Sequence, residues 1–168
     1  MIIELLLLEE LQFEKVSYYT VWVQGRPVSE FDDFITRMSI DPKDKRQLSE
    51  INRHIEDIGA HYGAQDEYFQ REGNAERLPP PYYRFFDSDG ESDFGLRLYC
   101  IRISDEIVIL LNGGRKIAQA IKDCPNCKPH FDFANAISDE IYYARRREEI
   151  EIDGRDILTE EGFVLNIA

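Results

Sequence analysis

The sequence contains little cysteine, few basic side chains and no long apolar run. Three cysteines among 168 residues, an odd number, fit reduced thiols better than a disulfide framework. The longest apolar run near the start, residues 5–8, is bounded by Glu4 and Glu9, and it has neither the basic segment nor the cleavage motif of a signal peptide. These absences disfavour a membrane-spanning or secreted protein and predict a cytoplasmic one.

Several widespread catalytic motifs are also missing. The chain contains no glycine-rich phosphate loop, no nucleophile elbow and no His-Glu-x-x-His pair. It contains no internal repeat and no low-complexity tract either. Any activity must therefore come from residues that the fold brings together, and we predict that it needs no cofactor.

Basic residues are scarce relative to acidic ones. The chain has 20 Lys and Arg against 33 Asp and Glu, which gives a net charge of −13 at pH 7. Binding over a whole surface to nucleic acid or to an anionic membrane depends on Lys and Arg, so this balance disfavours both. Residues 82–128 carry seven basic and seven acidic side chains, so the entire acidic excess lies elsewhere. We therefore expect a protein partner on the acidic surface and, at most, a local contact with nucleic acid.

Hydrophobic periodicity predicts one α+β domain over residues 1–168, with a core at about 13–147. Residues 13–23 are rich in β-branched and aromatic side chains, which is typical of a strand. Ser29 and Asp41 are good N-caps, and each precedes an amphipathic segment. Two helices joined by so short a turn should form a hairpin.

The second half of the chain predicts strands followed by a helix. Residues 82–86, 94–103 and 106–111 have the composition of three strands, and the last is almost continuously apolar. A later helical pattern ends at the basic residues 145–147. The predicted fold is an antiparallel sheet of about four strands, with an N-terminal helical hairpin and a C-terminal helix packed on it.

The predicted strand pair carries most of the basic residues of the neutral segment. Arg97 and Tyr99 share one side of a strand because side chains alternate with a period of two, and Arg102 follows on the same strand. Arg115 and Lys116 lie just beyond the next strand. A local basic patch beside a tyrosine is compatible with binding a phosphate backbone. The alternative is a solvated sheet face whose charges pair with Asp and Glu.

The same strand pair resembles a known toxin family. Residues 95–103 read GLRLYCIRI, and residues 106–116 read EIVILLNGGRK. This pair resembles the core of the RelE/ParE/HigB toxin superfamily, in which an arginine-bearing strand precedes an apolar strand that ends in basic residues. The order of strand, helical hairpin, sheet and helix resembles the family's order over about residues 13–147.

The resemblance implies a function. RelE-like members cleave mRNA on the ribosome, whereas ParE-like members act on gyrase. The chain would then be a bacterial toxin–antitoxin component and a metal-independent endoribonuclease, with an antitoxin-like partner and with RNA or the ribosome at the sheet. Carried over by position, Arg97 would be the family's strand arginine, and Arg115 and Lys116 would be its basic pair. Tyr99 is the further catalytic candidate, for proton transfer, and Arg84 and Arg102 are the candidates for substrate binding.

Two further functions stay open. The chain is long and acidic for this family and lacks a clear match to its C-terminal catalytic Tyr or His, which fits a catalytically silent interaction module. Tyr142 and Tyr143, on the predicted last helix, are expected to be packing residues. A third hypothesis is a metal-binding regulator built on Cys124, Cys127 and His130, although zinc normally takes four ligands. The two cysteines would otherwise be structural loop thiols or a redox pair.

Overall fold

The protein contains nine β-strands and three α-helices, and the computed structural model describes every residue from 1 to 168. In chain order the elements are β1 (Ile2–Gln12), β2 (Ser17–Val23), α1 (Glu30–Met38), α2 (Pro42–Asp57), β3 (Gln70–Glu72), β4 (Ala75–Leu78), β5 (Gly95–Ser104), β6 (Ile107–Lys116), α3 (Lys128–Arg146), β7 (Glu151–Asp153), β8 (Asp156–Leu158) and β9 (Leu165–Asn166).

The two helix starts predicted from the N-caps are confirmed. The Ser29 hydroxyl accepts a hydrogen bond from the Asp32 amide at 3.2 Å. The Asp41 carboxylate accepts one from the Lys43 amide at 2.9 Å. Pro42 lies in the first turn of α2, where its missing amide donor costs nothing. Both helices therefore begin where local sequence places them.

Seven of the strands form one mixed sheet, in the order β3-β4-β5-β6-β2-β1-β9. β2 and β6 run parallel, whereas every other neighbouring pair runs antiparallel. The α+β class is confirmed, but the predicted sheet of about four antiparallel strands is wrong. The predicted N-terminal helical hairpin is also wrong, because two strands precede α1.

Non-local pairing explains these differences. Ser17 on β2 lies opposite Ile107 on β6, a separation along the chain that local periodicity does not report. β3 and β4 are short strands in a segment whose Gly and Pro residues predict only an extended connection. Conversely, residues 82–86 form turns and irregular structure rather than the predicted strand.

Helices cover both faces of the sheet. α1 and α2 pack on one face, over a core that includes Phe34, Ile51 and Leu96. α3 packs on the opposite face, over a core that includes Tyr99 and Ile109. β5 and β6 are therefore buried on both sides for most of their length, as expected of central strands. None of the helices combines the length and the apolar character that a membrane span requires.

The chain beyond α3 returns to the sheet. β7 and β8 form a small separate hairpin. Arg155, in the turn between them, donates hydrogen bonds to the carbonyls of Glu14 and Val16 at 3.1 and 3.3 Å. β9 then pairs with the start of β1. The residues that follow the predicted core thus tie the β1–β2 turn and complete one edge of the sheet.

Candidate functional site

The alternation of side chains along β5 and β6 separates the predicted catalytic residues into two groups. Arg115 lies opposite Leu96, a core residue beneath α1 and α2. Lys116 lies opposite Gly95 and therefore points to the other face, together with Arg97 and Tyr99. The structure brings Arg97, Tyr99 and Lys116 to the face covered by α3 and leaves Arg115 outside this group.

Arg115 is held in a neutral ion-pair network. Its Nε donates to Asp44 Oδ1 at 2.9 Å, and its Nη1 donates to Asp93 Oδ1 at 2.7 Å. Lys43 also pairs with Asp93, so two cations meet two carboxylates. Burial lowers the pKa of Arg115, but the hydrogen bonds to Asp44 and Asp93 outweigh it and leave that pKa raised. This network joins α2 to the end of β6, which is a structural role.

The α3 face carries a different group of charges. Arg77 on β4, Arg97 on β5 and Lys116 on β6 lie on three adjacent strands, and we refer to them as the α3-side cation cluster. The carboxylate of Glu72 lies 3.5 Å from Arg77 Nε. Three cations with a single carboxylate leave a net charge of about +2 at this place, in a protein whose total is −13.

Arg97 is a buried member of the α3-side cation cluster that makes no ion pair. Its side chain is buried, with the residue only 9% exposed. Its Nη1 donates to the carbonyls of Phe94 and Leu96 at 3.0 and 3.1 Å, while its Nε has no partner. Burial, followed by the positive charge of Arg77, lowers the pKa of Arg97 to about 10. A buried guanidinium with an unused donor favours an anion nearby.

Lys116 is the more accessible cation of the cluster. It is half-buried at the end of β6, and its Nζ lies 5.2 Å from the centre of the Phe94 ring. Burial and then the charge of Arg97 lower the pKa of Lys116. An ammonium group with a lowered pKa can give up its proton more readily than an ordinary lysine, which suits proton transfer.

Tyr99 lies in the core beside this cluster. It is fully buried, and its hydroxyl has no hydrogen-bond partner. Burial, and then the neighbouring Cys127 thiol, raise the pKa of Tyr99. The phenol therefore stays protonated at neutral pH, and the predicted role in proton transfer is restricted to that of a donor.

The loop that contains Cys124 and Cys127 joins the end of β6 to the start of α3 through hydrogen bonds. The Cys124 thiol donates to the Arg115 carbonyl at 3.6 Å, and the Cys127 thiol donates to the Gly114 carbonyl at 3.7 Å. A side chain at Gly114 would come within 2.5 Å of the Asn126 carbonyl oxygen, so glycine is required for this close approach. Both thiols are fully buried, which favours the structural interpretation of the pair.

The predicted metal ligands do not converge. His130 lies one turn into α3 and lines a cavity of about 390 Å³ together with Asp33 and Asn112. Besides burial, the charges that act on the His130 pKa are those of Arg37, Asp33 and Arg26, not those of the two cysteines. The structure contains no group of three or more His, Cys, Asp or Glu side chains placed to hold a metal ion.

The two predicted substrate-binding arginines lie outside the α3-side cation cluster. Arg84 is exposed in the irregular segment before β5. Arg102, near the end of β5, donates to the Ala64 carbonyl at 2.5 Å and pairs with Asp105. Sequence reasoning missed Arg77, because only the register of β4 against β5 places Arg77 opposite Tyr99.

Comparison with known proteins finds no relatives. No family model, no curated protein and no solved structure matches this chain.

Proposed function

We propose that the protein is an RNA-cleaving toxin of the RelE/ParE/HigB kind, and that the α3-side cation cluster holds the scissile phosphate. One observation supports this above the others: of Arg77, Arg97 and Lys116 only Arg77 pairs with a carboxylate, and a buried nitrogen of Arg97 has no partner. An RNA phosphate is an anion that would satisfy both features.

The proposed reaction is transesterification at phosphorus. The ribose 2′-hydroxyl attacks the adjacent phosphorus and loses its proton to water, while the bond from phosphorus to the 5′-oxygen breaks. The products are a 2′,3′-cyclic phosphate and a 5′-hydroxyl. Arg97 and Arg77 would stabilise the extra negative charge of the phosphorane, and Lys116 would give its proton to the leaving 5′-oxygen.

The acidic charge of the rest of the protein is compatible with this function. A phosphate contact at one place on the α3 face requires no basic surface elsewhere, so the acidic excess outside residues 82–128 is free to bind an antitoxin-like protein. We expect the toxin and this partner in the cytoplasm, where the RNA substrate is.

Induced expression tests this proposal. Growth should stop when the wild-type chain is produced, and purified protein should cut mRNA, alone or on ribosomes, to leave 2′,3′-cyclic phosphate ends. Arg97→Met, which keeps the volume of the side chain and removes the charge, should abolish both effects while the protein remains folded by circular dichroism. Normal growth and intact mRNA with abundant, folded wild-type protein would refute the nuclease and favour the catalytically silent interaction module.

A further inference from the structure

A second positively charged surface lies near the other end of α3, away from the cation cluster. It consists of Tyr142, Tyr143, Arg145 and Arg146 on α3 and of Arg71 on β3, and we name it the tyrosine–arginine patch. Tyr142 and Tyr143 are 55% and 53% exposed, so the expectation that they pack in the core is wrong. Two neighbouring exposed aromatic rings beside several arginines are unusual on a protein whose net charge is −13, and they indicate a binding surface.

Two of the three arginines that α3 and β3 contribute to the patch, Arg145 and Arg146, make no ion pair, whereas Arg71 pairs with Glu76 at 3.3 Å. Arg145 is exposed and makes no ion pair. Arg146 makes no ion pair; its guanidinium lies 5.9 Å from the centre of the Tyr142 ring, and its Nη1 donates to the Tyr142 hydroxyl at 3.1 Å. Arg147 is different, because Glu140 and Glu149 both pair with it. The unpaired arginines are therefore the ones beside the tyrosines.

A groove runs between the patch and the β3–β4 turn. One part, of about 350 Å³, is lined by Arg71, Asn74, Ser138, Asp139 and the two tyrosines. A smaller part, of about 190 Å³, continues towards Arg102 and Arg145. The groove thus combines aromatic faces, amide and hydroxyl groups, and guanidinium groups, which is the combination that binds single-stranded nucleic acid. Its two carboxylates already have partners: Asp139 accepts from Asn74, and Glu76 pairs with Arg71.

The floor of the groove is fixed before any ligand binds. The Asn135 carboxamide accepts from the Asn74 amide at 2.5 Å and donates to the Glu72 carbonyl at 3.1 Å. The Ser138 hydroxyl donates to the Asn74 carbonyl at 2.7 Å. A side chain at Gly73 would come within 2.3 Å of Asn135, so the turn sits directly on α3. A preformed groove binds without the cost of ordering its walls.

The geometry points to this groove as the binding surface for the bases of single-stranded RNA next to the cleavage position. This inference rests on the proposed function. Phe131 contacts the Tyr99 ring beside the cation cluster, and Tyr142 lies eleven residues further along the same helix, about 16 Å away at 1.5 Å per residue. A strand of a few nucleotides would reach from the scissile phosphate to the tyrosines, with bases stacked on the rings and phosphates beside Arg71 and Arg145.

Binding of a probe that cannot be cleaved tests the inference on the full chain. The probe is a fluorescein-labelled 2′-O-methyl oligonucleotide of about twelve nucleotides, followed by fluorescence anisotropy. Tyr142→Ala with Tyr143→Ala should weaken its binding about 30-fold or more, since two stacked bases at about 1–3 kcal/mol each contribute at least about 2 kcal/mol. Replacement of both residues by Phe should restore it. Tyr82→Ala is the matched control, because Tyr82 is 68% exposed elsewhere on the protein.

The salt dependence of binding shows which arginines contact phosphates of the oligonucleotide. Arg145→Ala should lower the slope of log affinity against log salt by about 1, whereas Arg147→Ala should leave it unchanged because Arg147 is already paired. The inference is wrong if the oligonucleotide does not bind, if the Ala pair binds it normally, or if poly-glutamate competes equally well with it. The last result would indicate an acidic protein as the occupant.

The test also distinguishes failure of this inference from failure of the proposed function. RNA cleavage by the wild type together with tyrosine-independent binding would leave the nuclease standing and remove the patch. Tyrosine-dependent binding without any cleavage would keep the patch as an RNA-binding surface and remove the nuclease.

Discussion

The cations at the open end of the β5–β6 hairpin are neutralised on one face of the sheet and left without carboxylate partners on the other. On the face of α1 and α2, Arg115 meets Asp44 and Asp93, and the charges cancel. On the face of α3, Arg77 pairs with Glu72, whereas Arg97 and Lys116 make no ion pair. Consecutive residues of β6, Arg115 and Lys116, belong to different faces. A cation that the protein neutralises stabilises the fold, whereas a cation that it leaves unneutralised is available to a ligand.

The largest expected difference between the faces is in activity. Lys116→Gln removes the accessible cation and the proposed proton donor, and it should lower RNA cleavage about 100-fold or more. Arg115→Gln is the matched variant on the other face and should leave cleavage by the folded protein within about threefold of wild type. Single-turnover cleavage measures both. Equal losses from the two variants would remove the distinction between the faces.

The free energy of unfolding should change in the opposite order, more for Arg115→Gln than for Lys116→Gln. Arg115→Gln leaves Asp44 and Asp93 partly buried without their main partner, and the free energy of unfolding should fall by about 2–3 kcal/mol. Urea denaturation followed by circular dichroism measures this change. Lys116→Gln is the control and should change the free energy of unfolding by less than about 1 kcal/mol. A stable Arg115→Gln variant would show that the ion pairs contribute little.

Acid should destabilise the region where His130, near the start of α3, lies beside Asp33 of α1. Burial, and then the charge of Arg37, lower the pKa of His130 to about 4, below its ordinary value of about 6.5. Since the unfolded chain binds this proton more readily, the contribution is complete above pH 6.5 and is lost as the pH falls towards 4. The loss should be about 1–2 kcal/mol, allowing for partial exposure. His130→Gln should remove this component from a pH series of urea denaturations. An identical pH dependence in both proteins would show that His130 does not contribute.

A small change in the free energy of unfolding is expected for Arg97→Met. Arg97→Met gives up two hydrogen bonds to carbonyls and also removes a buried cation that lies next to another cation. These contributions oppose each other, so the free energy of unfolding should stay within about 1 kcal/mol of wild type while cleavage is lost. Thermal and urea denaturation measure it. A loss of several kcal/mol would assign Arg97 a structural role like that of Arg115.

Local sequence predicted the parts of the site that depend on one strand or one helix cap. The period of two correctly placed Arg97 and Tyr99 on the same side of β5. The same rule would have separated Arg115 from Lys116, but the two preceding glycines suggested that the strand ends before them. Instead β6 continues through Gly113 to Lys116. Glycine is needed at position 113 because a side chain there would come within 1.8 Å of the Arg97 carbonyl oxygen.

The rest depends on contacts that no local pattern encodes. Arg77 joins the cluster only through the pairing of β4 with β5, in a segment that predicts an extended connection. The exposure of Tyr142 and Tyr143 is different, because the helical stripe that buries Ile141 and Ala144 leaves the two tyrosines on the outer face of α3. The parallel pair of β2 and β6 joins residues 17 and 107. Local sequence patterns report neither of these two strand pairings, so they led to the expectation of a purely antiparallel sheet.

That parallel pair also sets the order in which the chain can fold. β6 is the middle strand of seven, and β2 has no partner on that side until β6 has been synthesised. The first hundred residues emerging from the ribosome can form β1, β2 and two helices, but their apolar sheet face stays uncovered until β6 and α3 follow. Contacts between such distant residues slow folding and prolong exposure to aggregation. Newly made chains of this protein should therefore depend on chaperones or on an early-binding partner more than a chain of similar length with local pairing.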